Sequence, residues 1–165
     1  MAANIFNPLT NYQDDAIVPA IVGSSDTINS SDVGRIVFKS SNTVVLGTGG
    51  SSFSTSIIAG VIALVPTASS GGSTVPIYIR PLVPGKMWEG KYSTLYSTVH
   101  PSDDYIGSYV GLSSAATVAG ALFSMGNLGN EPGTSDARFA RITGYSTNRR
   151  ILEFTPVKDS SVIGW

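Results

Sequence analysis

His100 is the only histidine of the chain and the residue best suited to proton transfer, within the sequence VHPSDD. A catalytic triad would place it beside Asp103 or Asp104 and a nucleophilic serine. The chain has no GxSxG elbow, and Pro101, Ser102 and the aspartates are the residue types of a surface turn. The pattern therefore favours a turn over a hydrolase site, and we expect no enzymatic activity.

Ion-binding patterns are equally weak. Calcium takes several oxygen ligands that alternate along a loop, and neither Asp14-Asp15 nor Asp103-Asp104 lies in such a loop. The glycine-rich residues 47–50 (GTGG) lack the lysine of a phosphate loop and are followed by a strand pattern rather than a helix. With one histidine and no cysteine, a zinc site is nearly excluded. We expect neither a metal nor a cofactor.

The composition is poor in charge. Of the 165 residues, 42% are hydrophobic and 13% are charged, compared with about 25% charged in typical domains. A net charge of -1 without a basic run argues against binding to nucleic acid. The longest apolar run, residues 57–66, is far shorter than the roughly 20 residues of a membrane span. A protein this apolar and this poor in charge is expected to cover part of its surface in an oligomer or assembly.

Short segments typical of β-strands recur from residue 33 onward, separated by turn residues. They are 33–39 (VGRIVFK), 43–46 (TVVL), 57–65 (IIAGVIALV), 105–112 (YIGSYVGL), 138–145 (RFARITGY) and 149–156 (RRILEFTP). Residues 115–125 (AATVAGALFSM) could form a short helix or a pair of strands, and their glycine and β-branched residues favour strands. Without a convincing long helix, this spacing predicts an all-β fold. We expect a single small β-barrel or sandwich domain over residues 33–165.

Residues 76–92 (PIYIRPLVPGKMWEGKY) form the stretch around which the rest is organised. Ile77 and Ile79 point to one face and Tyr78 and Arg80 to the other, as in a strand. Pro84-Gly85 then predicts a type II turn, and Met87, Trp88 and Tyr92 restart an apolar strand after it. The stretch carries no chemistry and is typical of a packing or docking element.

Residues 1–32 contain few strand patterns, and 23–32 (GSSDTINSSD) resemble a polar linker. Chain ends of this kind are often disordered. The alternative is an extended N-terminal arm that lies on a neighbouring subunit. The apolar residues Ile5, Phe6 and Leu9 favour the arm, because they could anchor it.

Five aromatic residues cluster in the middle of the chain, and a sixth is the last residue of the sequence. They are Trp88, Tyr92, Tyr96, Tyr105, Tyr109 and Trp165. Exposed aromatic rings can stack on sugars or bases. Tyrosine and tryptophan are also enriched in cores and subunit interfaces, and we favour this second use. Trp165 would contact a groove of the core or a neighbouring subunit.

Several segments together resemble a known class of proteins. RPLVPG at residues 80–85 and WEGKYST at 88–94 are similar to a segment of small structural proteins from tailed bacteriophages. GSYVGL at 107–112, TVAGA at 117–121 and ITGY at 142–145 continue the same order. This class includes the capsid decoration, or cement, proteins, and the resemblance covers roughly residues 33–155.

The resemblance implies a virion structural protein on the outer capsid surface. It would stabilise the shell by bridging major capsid subunits, as a homo-oligomer for which we favour a trimer. The candidate contacts are Ile5, Phe6, Leu9, Trp88, Tyr92 and Trp165. The alternative is a head or tail fibre domain that binds host surface carbohydrate through its aromatic residues.

Overall fold

The computed structural model describes residues 6–9, 17–23, 26–46, 58–71, 73–91, 102–112, 123–124, 140–149 and 151–157. The strands are β1 (Phe6–Pro8), β2 (Val18–Ala20), β3 (Thr27–Ile28), β4 (Ile36–Ser40), β5 (Thr43–Leu46), β6 (Ile58–Leu64), β7 (Ser69–Ser70), β8 (Ile77–Arg80), β9 (Trp88–Lys91), β10 (Tyr109–Leu112), β11 (Phe123–Ser124), β12 (Ala140–Ser146) and β13 (Ile151–Pro156). Two 3-10 turns, Ser30–Asp32 and Asp103–Tyr105, accompany them. The all-β prediction is confirmed. Within these ranges, no helix has the length and apolar character that crossing a membrane requires.

The strands form two larger antiparallel sheets and one small one. The six-stranded sheet has the order β1-β9-β13-β12-β10-β11, and the five-stranded sheet has the order β2-β8-β6-β4-β5. The small sheet pairs β3 with β7. The described strands therefore do not close into a single barrel, and the two larger sheets pack as layers on a shared core.

The stretch 76–92 connects these two layers. As predicted, it consists of a strand, a turn at Pro84-Gly85 and a second strand. The two strands belong to different sheets, since β8 lies in the five-stranded sheet and β9 in the six-stranded one. Gly85 has φ +85° and donates its backbone N–H to Thr155 Oγ1 over 3.1 Å. This hydrogen bond attaches the connection between β8 and β9 to the end of β13.

An inter-sheet core fills the space between the layers. The six-stranded sheet contributes Phe6, Trp88 and Phe154, which are almost fully buried, and the five-stranded sheet contributes Ile36 and Phe38. The rings of Phe6 and Phe154 meet edge to face, with centroids 6.1 Å apart. Phe6 in β1 is thus part of the same core as the later strands.

A second core lies on the opposite face of the five-stranded sheet. Val37, Ile62, Ile77 and Ile79 are buried there, together with Ile28 of the small sheet. Because both faces of the central strand β6 are covered from Ile58 to Ile62, this strand is apolar along most of its length (IAGVIAL). This explains why the sequence of β6 lacks the alternation of a half-exposed strand.

A β-bulge in β6 changes which of the two cores its side chains face. Gly60 pairs with Val37, and the next pair joins Ile58 to Phe38, so Ala59 is an extra residue. The bulge shifts the alternation of side chains by one residue. Ile58 and Val61 consequently both face the inter-sheet core.

Residues 18–23, which we call the closing segment, join the two edges of the five-stranded sheet. Their first half is β2, which pairs with β8 at one edge. At the other edge, Val44 of β5 donates its N–H to Ile21 O and accepts a hydrogen bond from Gly23 N, each over 2.8 Å. Pro19 is tolerated in β2 because an edge strand can lose one backbone donor.

The described part of residues 1–32 also contains an ordered turn. Asn29 Oδ1 accepts a hydrogen bond from Ser31 N, and Asp32 Oδ2 accepts one from Asn29 N, each over 2.9 Å. Asp32 also pairs with Arg35 over 2.6 Å. The polar residues of this segment thus bond to one another. The division of the chain at residue 32 stays a prediction, although β1 and β2 lie in the same sheets as the later strands.

Candidate functional site

The residues that suggested chemistry show no catalytic or metal-binding arrangement in the described part of the chain. Asp103 and Asp104 lie in the 3-10 turn Asp103–Tyr105. Among the described residues, no group of three or more His, Cys, Asp or Glu side chains could hold a metal ion. His100, Asp14-Asp15 and residues 47–50 lie outside the described ranges.

Asp103 has a structural partner. Its Oδ1 accepts a hydrogen bond from the hydroxyl of Tyr145 over 3.0 Å, which connects the 3-10 turn to β12. This bond raises the pKa of Tyr145 above its ordinary value of about 10. Partial desolvation and the negative charges of Asp103 and Asp104 raise this pKa further.

We expect Asp103→Asn to lower the pKa of Tyr145 toward its ordinary value, as measured by spectrophotometric titration with Tyr145→Phe to identify its signal. Asp104→Asn is the matched control and should lower this pKa less, because Asp104 acts only through its charge. Since the folded-state pKa is raised, the contribution of the bond to stability is fully present below about pH 10. It is lost as the pH rises through the folded-state value. An equal effect of the two variants would contradict the role of the hydrogen bond.

Glu89 is a buried carboxylate that the sequence pattern did not single out. It lies between Trp88 and Gly90 in β9 and is 9% exposed. Its Oε1 accepts hydrogen bonds from Asn7 Nδ2 over 3.4 Å and from Arg149 over 3.2 Å. These contacts join β1 and β9 to the turn between β12 and β13. A carboxylate with two such partners is suited to holding strands together.

Glu153 lies directly opposite Glu89 across the β9–β13 pair. Its carboxylate packs over Gly144, where an added Cβ would come within about 2.5 Å of Glu153 Oε2. Two facing carboxylates repel each other, and Arg149 offsets this repulsion on the Glu89 side. The arrangement provides neither a nucleophile nor a cluster of metal ligands, so it gives no reason to assign a reaction.

The predicted contact residues have different positions. Phe6 and Trp88 are buried, at 1% and 0% exposure, whereas Leu9 is 45% exposed. Side chains as buried as Phe6 and Trp88 have little surface to offer another molecule. Among the described candidates, the interface prediction therefore depends on Leu9. Ile5, Tyr92 and Trp165 lie outside the described ranges.

The aromatic residues considered for stacking on carbohydrate are partly internal. Trp88 and Tyr105 belong to the inter-sheet core. Tyr109 is half-buried, and the guanidinium of Arg141 lies over its ring, 4.6 Å from the centroid. One face of this ring is thus already in contact with a cation. Tyr92 and Tyr96 lie outside the described ranges.

A row of three side chains runs across β2, β8 and β6 of the five-stranded sheet, with Pro19 and Leu64 exposed at its ends and Tyr78 half-buried between them. Pro19 of β2 pairs with Tyr78 of β8, and Tyr78 pairs with Leu64 of β6. We call these three residues the apolar row. Leu64 is 47% exposed, and Ile17, next to β2, is 36% exposed. The sequence did not reveal this row because its three residues are distant in the chain and become neighbours only through the pairing of β2 with β8 and of β8 with β6.

Comparisons of the chain with models of protein families, with curated proteins and with solved structures found no match. The functional conclusion is therefore argued from the residues of this chain.

Proposed function

We propose that the chain is a virion structural protein of the capsid decoration, or cement, type. It binds the outer surface of the capsid shell, bridges neighbouring major capsid subunits and stabilises the shell through non-covalent contacts. It acts as a homo-oligomer, for which we favour a trimer. It needs no cofactor and catalyses no reaction.

The apolar row is the observation that carries this proposal. Leu64, Tyr78 and Pro19 lie side by side on a paired sheet rather than on a loose loop. Exposed apolar groups on a rigid surface are typical of contacts between proteins. The low charge content of the chain, 13%, is consistent with such contacts, because charged residues are depleted at the centre of interfaces.

The packing supports a structural role in a second way. A two-sheet fold with two buried cores provides a stiff body. Asp32, Glu89 and Asp103 are engaged in bonds that hold the fold together. These features suit a protein whose task is to remain bound and resist deformation. They would be less expected of a protein that must rearrange around a substrate.

The proposal predicts the number of copies of this chain in a virion. Quantitative mass spectrometry of purified particles of the encoding phage should find hundreds of copies, in simple ratio to the major capsid protein. A few copies would instead favour the alternative, a head or tail fibre domain that binds host carbohydrate. A chain missing from the particle would refute both structural assignments.

Variants of the chain test whether the apolar row is the surface that contacts the capsid. Leu64→Asp places a charge in the apolar row and should reduce the occupancy of the capsid. Ile106→Asp is the matched control, because Ile106 is similarly exposed, at 50%, but lies after the second 3-10 turn and outside the row. Equal occupancy of the two variants would exclude the apolar row as the contact surface.

A further inference from the structure

A cleft opens where the closing segment passes from one edge of the five-stranded sheet to the other. Ala20 pairs with Ile77 of β8, whereas the next residue, Ile21, already accepts a hydrogen bond from Val44 of β5. The chain therefore changes its pairing partner from β8 to β5 after Ala20, and the cleft lies between Ala20 and the β4–β5 hairpin. The resulting cleft has a volume of about 270 Å³.

The lining of the cleft is apolar at one side and polar at the other. Ala20 and Val44 are buried members of the second core. The remaining lining residues come from the β4–β5 hairpin and are Lys39, Ser41, Asn42 and Thr43. Since a water molecule occupies about 30 Å³ of the liquid, the cleft is large enough for a small organic molecule.

Lys39 makes the polar side suitable for an anion. None of the described lining residues is acidic, and no described carboxylate forms a salt bridge with Lys39. The Ser41 hydroxyl and the Asn42 amide add neutral hydrogen-bond donors. The Thr43 hydroxyl is not among these donors, because it already donates a hydrogen bond to Ser40 O over 2.8 Å.

The turn of the β4–β5 hairpin presents Ser41 and Asn42 to the cleft. Ser40 pairs with Thr43, so these two residues form a two-residue hairpin loop. Ser41 has φ +53°, the positive value that the first residue of such a loop adopts.

We propose that this cleft binds a carboxylate carried on a short aliphatic stem. The carboxylate contacts the Lys39 ammonium group, with the Ser41 hydroxyl and the Asn42 amide as further donors. The stem lies against the apolar part of the cleft lining, to which Ala20 and the Thr43 methyl group belong. A free short-chain acid and a glutamate side chain of another protein both carry this chemistry.

Titration of the full chain with butyrate, followed by amide NMR shifts at constant ionic strength, tests the proposal. Saturable shifts should be confined to residues around Ala20 and to the hairpin from Lys39 to Val44. Butyramide has the same stem without the charge, and acetate has the charge with a shorter stem, so both should bind more weakly. A capped tripeptide with a central glutamate separates the two sources. If butyrate binds and the tripeptide does not, the ligand is a free acid. If butyrate and the tripeptide both bind, the cleft also accepts a glutamate side chain.

Variants of Lys39 supply the decisive comparison. Lys39→Met should weaken butyrate binding by about tenfold or more, because it removes a charged hydrogen-bond partner. Lys39→Arg keeps the charge and should retain most of the binding. Lys86→Met, outside the cleft lining, should have no effect. Unsaturable shifts, equal binding of butyramide, or unchanged binding by Lys39→Met would overturn the proposal.

Discussion

Deletion of residues 1–22 is expected to abolish cooperative folding of the whole chain. The deletion removes β1 and β2, and with them Phe6 from the inter-sheet core and Ala20 and Val22 from the second core. Loss of a buried phenylalanine side chain alone costs about 3–5 kcal/mol, whereas a domain is stable by only about 5–15 kcal/mol. Urea unfolding followed by circular dichroism should therefore show no transition in the deletion variant. A transition at the urea concentration of the full chain would contradict this expectation.

Two point variants separate the contribution of Phe6 in β1 from that of Leu9, the residue that follows β1. Phe6→Ala should lower the free energy of unfolding by about 3–5 kcal/mol, because Phe6 is 1% exposed. Leu9→Ala should change it by no more than about 0.5 kcal/mol, because Leu9 is 45% exposed. Equal losses would contradict the burial of Phe6, but not of Leu9, in the fold. Leu9 variants, rather than the deletion, are consequently suited to testing capsid attachment.

Gly60→Ala is expected to destabilise the fold by about 3 kcal/mol. A Cβ at this position would lie 2.6 Å from Arg80 O and 3.3 Å from Pro81 Cα. Both are backbone atoms, so the clash can be relieved only by moving β6 and β8 apart. The midpoint of urea unfolding should fall accordingly.

Gly85→Ala is the matched control for Gly60→Ala. Gly85 has φ +85° but no atom within 4 Å of an added Cβ, so its substitution causes backbone strain without a clash. The expected cost is about 1 kcal/mol. A loss at Gly60 no larger than the loss at Gly85 would refute the close approach of β6 to β8.

The local elements of this fold could be predicted from the sequence. The hairpin of β12 and β13 and the hairpin of β4 and β5 have strand-forming residues beside short polar turns, and both pairs are present. The turn at Pro84-Gly85 follows from the conformational preferences of its two residues. Each of these features depends on residues close together in the chain.

The remaining features depend on partners that are distant in the chain. Phe6 and Leu9 are similar apolar residues in the sequence, but only Phe6 is buried, since β1 pairs with β9. Asn7 and Glu89, which contact each other across this pair, are 82 residues apart. The cleft likewise combines Ala20 with the β4–β5 hairpin. Periodicity identifies strands, but it does not specify which strands become neighbours.

The closing segment must wait for its second partner during synthesis. Residues 18–23 leave the ribosome before β5 and β8, the two strands that they join. β5 is complete once residue 46 has been made, whereas β8 is complete only at residue 80. Pairing over such long separations is slow, on the order of milliseconds to seconds. β1 and β2, the first described strands of the chain, therefore stay unpaired until β9 and β8 have been made.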